Sequence, residues 1–362
     1  MTLSTDPVSK GPPEPSDETV TETVVNHHRN RVAEDGSLTI YSKRSERRRK
    51  KHQLKQNKPR GEHRGLLDLP FDILVDILSF LRPSDVFRLS RTCRPLSAFL
   101  LQDHAALVSR SIVQWRYPCL QKCIRLPVLM SSIDDIHLRT LLQARERQQR
   151  LATHSRPYYQ HIKPPDPSLV CTCLTCMLRW NVLCLAVDFA HWQDDLDAGD
   201  PLPIISRGRQ PAWNADLLHS HAVVVEKAVD PSVGGQASPL WYAAILEAHL
   251  NSTVRSIRRH SANKGNKRPR FRMTLSDAAS GTDAFLQRSG PPSADFPFHR
   301  DNYYMLEAYL PNRCWFKEQG RWGYMPDEQH ETDLEQLKRW ASRSKEPPVE
   351  LKNDVDQGRR HV

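Results

Sequence analysis

Hydrophobic residues and glycine are both scarce in this chain. Hydrophobic residues occupy 38% of the 362 positions, against roughly 45–50% in an ordinary globular chain. Glycine occurs only 14 times, beside 27 prolines. A chain with so little apolar surface cannot offset the entropy cost of ordering its full length. We therefore expect a folded core together with flanking segments that do not fold.

Long apolar runs are also missing. No charge-free apolar run approaches the ~18–20 residues that a membrane-spanning helix needs. Residues 1–18 show neither the basic region nor the apolar region of a secretory signal. The eight cysteines therefore predict free thiols in a reducing compartment. These features exclude a membrane protein and a disulfide-stapled secreted scaffold, and we expect a soluble protein of the nucleus, the cytoplasm or both.

The common catalytic motifs are absent from the sequence. It contains no G-x-S-x-G, no phosphate-binding P-loop and no H-E-x-x-H zinc-protease motif. His299-Arg300-Asp301 matches the kinase catalytic-loop triplet, but Leu306 stands where that loop requires asparagine. The sequence therefore gives no motif for a kinase, a P-loop enzyme, this type of hydrolase or a zinc protease, and we expect no cofactor.

Positive charge is concentrated in one segment, residues 43–60. This segment holds ten Lys or Arg and one Glu, so its charge of +9 accounts for nearly all of the net +10. The charge therefore does not indicate a domain that binds nucleic acid over one whole basic face. The segment is typical of a nuclear-localisation signal, while a nucleic-acid contact and a solvated or ubiquitin-accepting tail remain alternatives. The candidate signal residues are Arg47, Arg48, Arg49, Lys50 and Lys51.

Composition and periodicity divide the chain into four parts. Residues 1–63 predict a disordered arm, first acidic and then basic, and residues 345–362 predict a disordered tail. Residues 64–112 are helical in pattern, and residues 113–344 predict a mostly helical domain without repeats. The fold class is therefore mainly α. The longer helices are expected at Ile133–Ala152, Leu174–Trp192, Ala215–Val229, Leu240–His260 and Thr332–Ser342.

The segment from Leu66 to Leu101 carries the strongest local signal. Pro70 suits the start of a helix, and apolar residues then recur at helical spacing. Pro83 ends this helix, Ser84 is a suitable N-cap for a second one, and Pro95 can open a third. Three helices in about 40 residues bury too little surface to be stable alone, so they must pack against further structure. The apolar positions of the first helix are Ile73, Leu74, Ile77, Leu78 and Leu81.

These residues resemble the F-box family. The matching features are Leu69-Pro70-x-Asp72, Ile73-Leu74, Ile77-Leu78, Asp85-Val86, Leu89 and Cys93-Arg94. The chain departs from the family where Leu96 and Asp72 stand in place of the frequent Trp and Glu. The resemblance implies an F-box over residues 64–112 that docks on a Skp-type adaptor of a cullin–RING ubiquitin ligase. Residues 113–344 would then select a protein substrate, which nothing in the sequence identifies.

The resemblance also implies which residues contact the adaptor. Helix-on-groove burial of aliphatic side chains would carry the contact, and a few central residues would supply most of the energy. On this basis, Leu69→Ala or Leu74→Ala is expected to cost roughly 2 kcal/mol, about 30-fold in affinity. The implied contact residues are Leu69, Pro70, Ile73, Leu74, Ile77, Val86 and Leu89.

Two alternatives to a ligase receptor remain open. One is an F-box scaffold that acts outside the ligase. The other is an enzyme or a nuclear nucleic-acid-associated protein, using its basic segments, in which the F-box serves only for attachment. The tract from Gly290 to Tyr309 is similar to that of F-box proteins of filamentous fungi, which names no substrate.

Four cysteines with the spacing C-x-C-x2-C-x7-C form a candidate metal site. Zinc requires four thiolate or imidazole ligands in a tetrahedron, but one cluster lacks the paired C-x2-C layout of many zinc sites. Helical spacing instead favours core packing, because free cysteine is often buried. We predict no metal and keep zinc as the alternative. The candidate cysteines are Cys171, Cys173, Cys176 and Cys184, with His161 and His191 nearby.

Overall fold

The fold is mainly α, as the sequence predicts. The computed structural model describes residues 65–155, 162–206, 209–262, 273–287 and 328–343, the shorter stretches 46–48, 50–51, 313–316, 318–319 and 321–324, and residue 326. The helices of the main part are α1 (Phe71–Ser79), α2 (Pro83–Ser90), α3 (Arg94–Ala98), α4 (Ala105–Arg116), α5 (Leu120–Cys123), α6 (Ile136–Gln143), α7 (Arg145–Ser155), α8 (Leu174–Ala198), α9 (Ala212–Val229), α10 (Pro231–Gly234), α11 (Ser238–Ala262), α12 (Leu275–Ser280) and α13 (Gln329–Arg343).

The two longest helices, α8 and α11, pack against each other at the centre of the fold. Helices α4 and α9 pack on α11 as well, so that α11 has neighbours on several sides. The side chain of Trp180 in α8 is fully buried, and its indole donates a hydrogen bond to the carbonyl of Lys163 at 2.8 Å. Helix α8 is followed at its C-terminal end by Gly199, whose φ of 80° is the left-handed conformation that glycine adopts without strain.

The helix expected at Ile133–Ala152 is two helices in the structure. Ala144 leaves the helical conformation, with φ −54° and ψ 130°, and separates α6 from α7. The carbonyl of Leu142, which a continuous helix would use internally, accepts side-chain hydrogen bonds from Gln148 and Thr172. Side-chain donors from outside the helix thus replace the helical bond at the break.

A short antiparallel hairpin is an element that helical periodicity did not predict. Strands β1 (Arg313–Phe316) and β2 (Arg321–Tyr324) pair in a register that places Arg313 opposite Tyr324 and Trp315 opposite Trp322. Four-residue strands are too short to show a clear alternation in the sequence.

Within the part of the chain that the structure describes, every helix is too short or too polar to cross a lipid bilayer.

The helices within residues 64–112 share a core with the helices that follow. Helix α1 packs on α4, and α2 packs on α11. Leu78 and Val86 from the segment belong to the same buried cluster as Leu183 and Leu246 of the central helices. The boundary expected between residues 112 and 113 falls inside α4. Contacts divide the chain only between residues 63 and 64. The tail at 345–362 and most of the arm at 1–63 lie outside the described residues.

Candidate partner-binding site

Helix α1 presents two apolar stripes that face in different directions. Leu74 and Leu78 are 2% and 0% exposed and form part of the core. Ile73 and Ile77 precede them by one position each and are 44% and 40% exposed. One residue corresponds to about 100° of rotation around a helix, so adjacent apolar residues point to different sides. The inner stripe holds the helix in the fold, and the outer stripe is available to a partner.

The outer stripe continues before and after α1. Leu69 precedes the helix and is 38% exposed, while Phe80 follows it and is 57% exposed. Contiguous apolar exposure of this kind marks an interaction surface more often than an ordinary monomer surface. We call this set the apolar face; its members are Leu67, Leu69, Pro70, Phe71, Ile73, Ile77 and Phe80.

Acidic residues adjoin the apolar face. Asp68, Asp72 and Asp76 are all exposed. Asp72 and Asp76 lie on α1 itself, one turn apart. A charged rim around an apolar centre is the usual arrangement of a protein–protein interface.

The structure divides the seven residues implied by the family resemblance. Leu69, Pro70, Ile73 and Ile77 are exposed members of the apolar face, and Leu89 is half-buried against the core. Leu74 and Val86 are buried at 2% and 0% exposure. These two cannot reach a partner in the folded chain, because the chain's own helices cover them. We therefore remove them from the contact surface, and the effect of Leu74→Ala is assigned to folding.

Two aromatic residues were missed as contact candidates. Phe71 lies with its ring centroid 4.8 Å from that of His104, and Phe80 lies 5.0 Å from Trp115, both in edge-on geometry. Each ring remains about half exposed, at 47% and 57%. The sequence signal was available, since Phe80 follows Ile73 and Ile77 at the helical spacing of the outer stripe.

Glu247 of α11 holds the start of α2. Its carboxylate accepts hydrogen bonds from the backbone N–H of Ser84 at 2.8 Å and from the Ser84 hydroxyl at 2.7 Å. The expected N-cap, Ser84, is instead the second residue of the helix, because Pro83 begins it and Arg82 is the N-cap. An acidic group at a helix N-terminus also interacts favourably with the helix dipole.

Arg116, at the end of α4, holds the turn after α1. Its guanidinium donates to the carbonyls of Leu81, at 2.9 Å, and Phe80. It also donates to the carbonyls of Ser280 and Gly281, at 3.3 and 3.1 Å. The side chain is buried, and this burial lowers its pKa from the ordinary value. One buried cation thus joins the end of the apolar face to the loop after α12.

Asp283 is a second buried ionisable group beside this junction. Its carboxylate accepts from the backbone N–H groups of Cys119 and Leu120 at 3.0 and 2.7 Å. Burial raises its pKa to about 8, although the two hydrogen bonds oppose this rise. The folded protein therefore retains a proton on Asp283 that the unfolded chain releases near pH 4.

Asp283→Asn is expected to reduce the loss of stability with rising pH. Because the pKa is higher in the folded state, its stabilising contribution is complete below about pH 4 and is lost as pH rises towards about 8. One such proton gives a slope of at most about 1.4 kcal/mol per pH unit. Asparagine has an oxygen that can accept the same hydrogen bonds but does not titrate in this range. Chemical denaturation from pH 5 to 8.5 would measure how the free energy of unfolding changes with pH in the wild type and in Asp283→Asn. Equal slopes in the two proteins would contradict a raised pKa for Asp283.

Three of the four candidate cysteines lie together, and the fourth does not. Cys171, Cys173 and Cys176 are fully buried beside His330 of α13. Cys184 is buried in the main core instead, where burial raises the pKa of its thiol. His330 was missed because it follows Cys176 by 154 positions, and no local spacing connects them.

The remaining candidates do not join a site among the described residues. His161 lies outside them, and so do Arg49 and the triplet at 299–301. The ring of His191 lies against Trp192 in edge-on contact. Part of the basic segment is helical rather than irregular, because its Arg, Lys and Glu residues are good helix formers. The helical, exposed residues are Glu46, Arg47, Arg48, Lys50 and Lys51.

Comparison with protein families identifies the segment that carries the apolar face. Residues 66–106 match the F-box-like family model, so this part of the chain is an F-box-like domain. The match begins at the turn before α1 and ends within α4. Searches of the curated proteins and of the solved structures gave no match. The fungal origin suggested by residues 290–309 remains a prediction, since these residues lie outside those that the structure describes.

Proposed function

We propose that this chain is a substrate-receptor subunit of a Skp–cullin–F-box ubiquitin ligase and binds the Skp-type adaptor through the apolar face. The observation that carries the proposal is the exposure of this face within the F-box-like segment. Ile73, Ile77 and Phe80 follow one another along one side of α1, with Leu69 and Pro70 before them. Aliphatic and aromatic residues at this spacing are the anchors of a helix that lies in an apolar groove.

The surrounding fold is suited to present this face as a fixed surface. The buried side chains of Leu74 and Leu78 pack α1 against the core. Arg116 donates hydrogen bonds to the carbonyls that follow α1, and Glu247 accepts hydrogen bonds at the start of α2. A preorganised surface loses less conformational entropy on binding than a flexible one. The few central residues of the face should therefore carry most of the binding energy.

In this proposal the chain performs no chemistry itself. It holds a protein substrate close to a ubiquitin-loaded enzyme and so raises the effective concentration of the reacting groups. Residues 113–344 are the proposed substrate-recognition part. The substrate is an unidentified protein, and other subunits of the ligase supply the catalytic residues.

The basic segment is proposed to direct the protein to the nucleus. Four of its five candidate residues are exposed and helical, which makes them accessible to an import receptor. A nucleic-acid contact would use the same exposed charges and would weaken steeply with added salt.

The Leu69→Ala/Pro70→Ala variant is expected to lose the adaptor. Both residues are exposed members of the apolar face, so their replacement removes contact surface without opening the core. We expect the tagged wild-type protein to co-purify with the adaptor and the cullin. The variant should bind the adaptor at least about 30-fold more weakly, which corresponds to about 2 kcal/mol.

Pro203→Ala/Ile204→Ala provides a matched control. It replaces an exposed proline and an exposed aliphatic residue outside the F-box-like segment, and it should still bind the adaptor and the cullin.

Adaptor binding without the cullin would favour a scaffold outside the ligase. Absence of the adaptor from the wild-type preparation would refute the proposal. Proteins that remain bound to the wild-type chain and to Leu69→Ala/Pro70→Ala, and that accumulate when the chain is deleted, would be substrate candidates.

A further inference from the structure

We propose that Cys171, Cys173, Cys176 and His330 bind one zinc ion. The site would join the N-terminus of α8 to helix α13 and would stabilise the fold rather than take part in a reaction. The inference is independent of the proposed function, because the cluster shares no residue with the apolar face.

The four side chains converge on one point. Their three sulfur atoms and one ring nitrogen all lie within 4.8 Å of one another. The Nδ1 atom of His330 is 3.3 Å from the sulfur of Cys173 and 3.4 Å from that of Cys176. A tetrahedron with ordinary zinc bond lengths has sulfur–nitrogen edges of roughly 3.6 Å and sulfur–sulfur edges of roughly 3.8 Å. The two sulfur–nitrogen distances differ from this edge by only a few tenths of an ångström, and no pair of ligand atoms needs to approach by more than roughly 1.2 Å to form the tetrahedron.

Backbone donors are already directed at all three sulfurs. The N–H of Cys173 donates to the sulfur of Cys171, and the N–H of Cys176 donates to that of Cys173. The N–H of Val128 donates to the sulfur of Cys176, and each of the three distances is 3.4 Å. Zinc-binding cysteines are thiolates, and such outer hydrogen bonds stabilise their negative charge and fix their orientation.

Ordinary core packing explains only part of the arrangement. The three cysteines lie in a small apolar cluster with Met130, Ile133, Leu138 and Leu142. Cysteine packs well in such a place as a small apolar residue. Packing gives no reason, however, for a histidine from a distant helix to direct its ring nitrogen at two of the sulfurs. His330 is only 6% exposed, and zinc coordination would use the polar atom that this burial removes from water.

The donor set selects the metal. Three sulfurs and one imidazole nitrogen form a Cys3His set, which is common in structural zinc sites and leaves no position open for a substrate. Calcium and magnesium are disfavoured because they require oxygen ligands. Copper(I) and iron also bind thiolates, and an assay of metal identity distinguishes them from zinc.

The position of the site explains what the metal would do. Helix α13 packs Leu334 and Leu337 against the cluster, and polar contacts join it to neighbouring segments. Asp333 accepts a hydrogen bond from the N–H of Thr175 at 2.7 Å, and Lys338 pairs with Asp135 at 2.9 Å. A coordinated ion would cross-link α13 to the segment before α8, and the binding energy would become folding energy.

The first test measures metal in the full-length protein, purified under reducing conditions after expression with zinc. We expect elemental analysis to find one zinc ion per chain. Titration with a competing chelator should show that Cys173→Ser and His330→Ala bind zinc more than about 100-fold more weakly, since loss of a direct ligand should exceed the effect of outer-shell changes. His330→Cys should retain zinc through four thiolates. Cys93→Ser, exposed, and Cys184→Ser, buried elsewhere, should retain it as well.

A second measurement does not depend on variants that may unfold. X-ray absorption at the zinc edge of the wild-type protein should show three sulfurs at about 2.3 Å and one nitrogen at about 2.0–2.1 Å. Circular dichroism would establish that the sample is folded. A folded wild-type protein that binds no stoichiometric zinc would overturn the proposal. A different ligand set, or unchanged zinc affinity in both Cys173→Ser and His330→Ala, would do the same.

Discussion

Arg116→Met should lower the free energy of unfolding by about 3 kcal/mol or more. Methionine preserves much of the buried apolar volume but leaves the carbonyls of Phe80, Leu81, Ser280 and Gly281 without the donor that now serves them. A part-buried carbonyl that loses its partner costs up to about 1–3 kcal/mol, and water entering the gap would recover part of this. Urea denaturation followed by circular dichroism would measure the loss.

Two further variants separate charge from geometry. Arg116→Lys keeps the positive charge but lacks the planar fork that lets one side chain donate to four carbonyls, so it should recover only part of the stability. Arg110→Met changes an exposed residue of the same helix and should alter stability by no more than about 0.5 kcal/mol. If Arg116→Met were as harmless as Arg110→Met, the hydrogen bonds of Arg116 would contribute nothing measurable to the fold.

Much of the helical framework was predictable because its signals are local. The helices expected at Leu174–Trp192 and Leu240–His260 are present; the first begins at Leu174 as expected, and the other ends are displaced by two to six residues. Pro70 and Pro95 mark helix starts because proline lacks the N–H that the first turn of a helix does not need. These signals depend on neighbouring residues, so they can be recognised from the sequence without knowledge of the tertiary structure.

The direction in which α1 faces was not predictable in the same way. Ile73-Leu74 and Ile77-Leu78 are pairs of adjacent apolar residues, so periodicity shows two apolar stripes and cannot select the buried one. The selection is made by α4 and the rest of the core, which cover Leu74 and Leu78. The contact set implied by the family resemblance mixed the two stripes for this reason.

Local sequence spacing could not predict the long-range polar contacts either. The acceptors of Arg116 come from two segments about 35 and 165 positions away. His330 reaches the cysteines from 154 positions beyond Cys176. The cysteine spacing did indicate a metal-binding possibility, but it favoured Cys184 as the fourth ligand because only nearby residues could be compared.

Ile73→Ala and Leu74→Ala are expected to affect different properties of the protein, although the residues are adjacent. Leu74 is 2% exposed, and its truncation should cost about 2–5 kcal/mol of folding stability through lost burial and the cavity left behind. Ile73 is 44% exposed, and alanine is favourable in a helix, so its truncation should change stability by no more than about 0.5 kcal/mol. It should instead weaken adaptor binding by about 2 kcal/mol, or about 30-fold.

Denaturation and adaptor-binding titrations on both variants would measure this separation. The binding titration is made without denaturant, at a temperature where circular dichroism shows Leu74→Ala to be folded. Under these conditions the affinity of Leu74→Ala for the adaptor should remain within about threefold of wild type. Loss of stability in Ile73→Ala would place that residue in the core and contradict the orientation of α1. Unchanged adaptor affinity in Ile73→Ala would contradict a contact centred on this residue, whose exposed side chain lies between Leu69 and Ile77 on the apolar face.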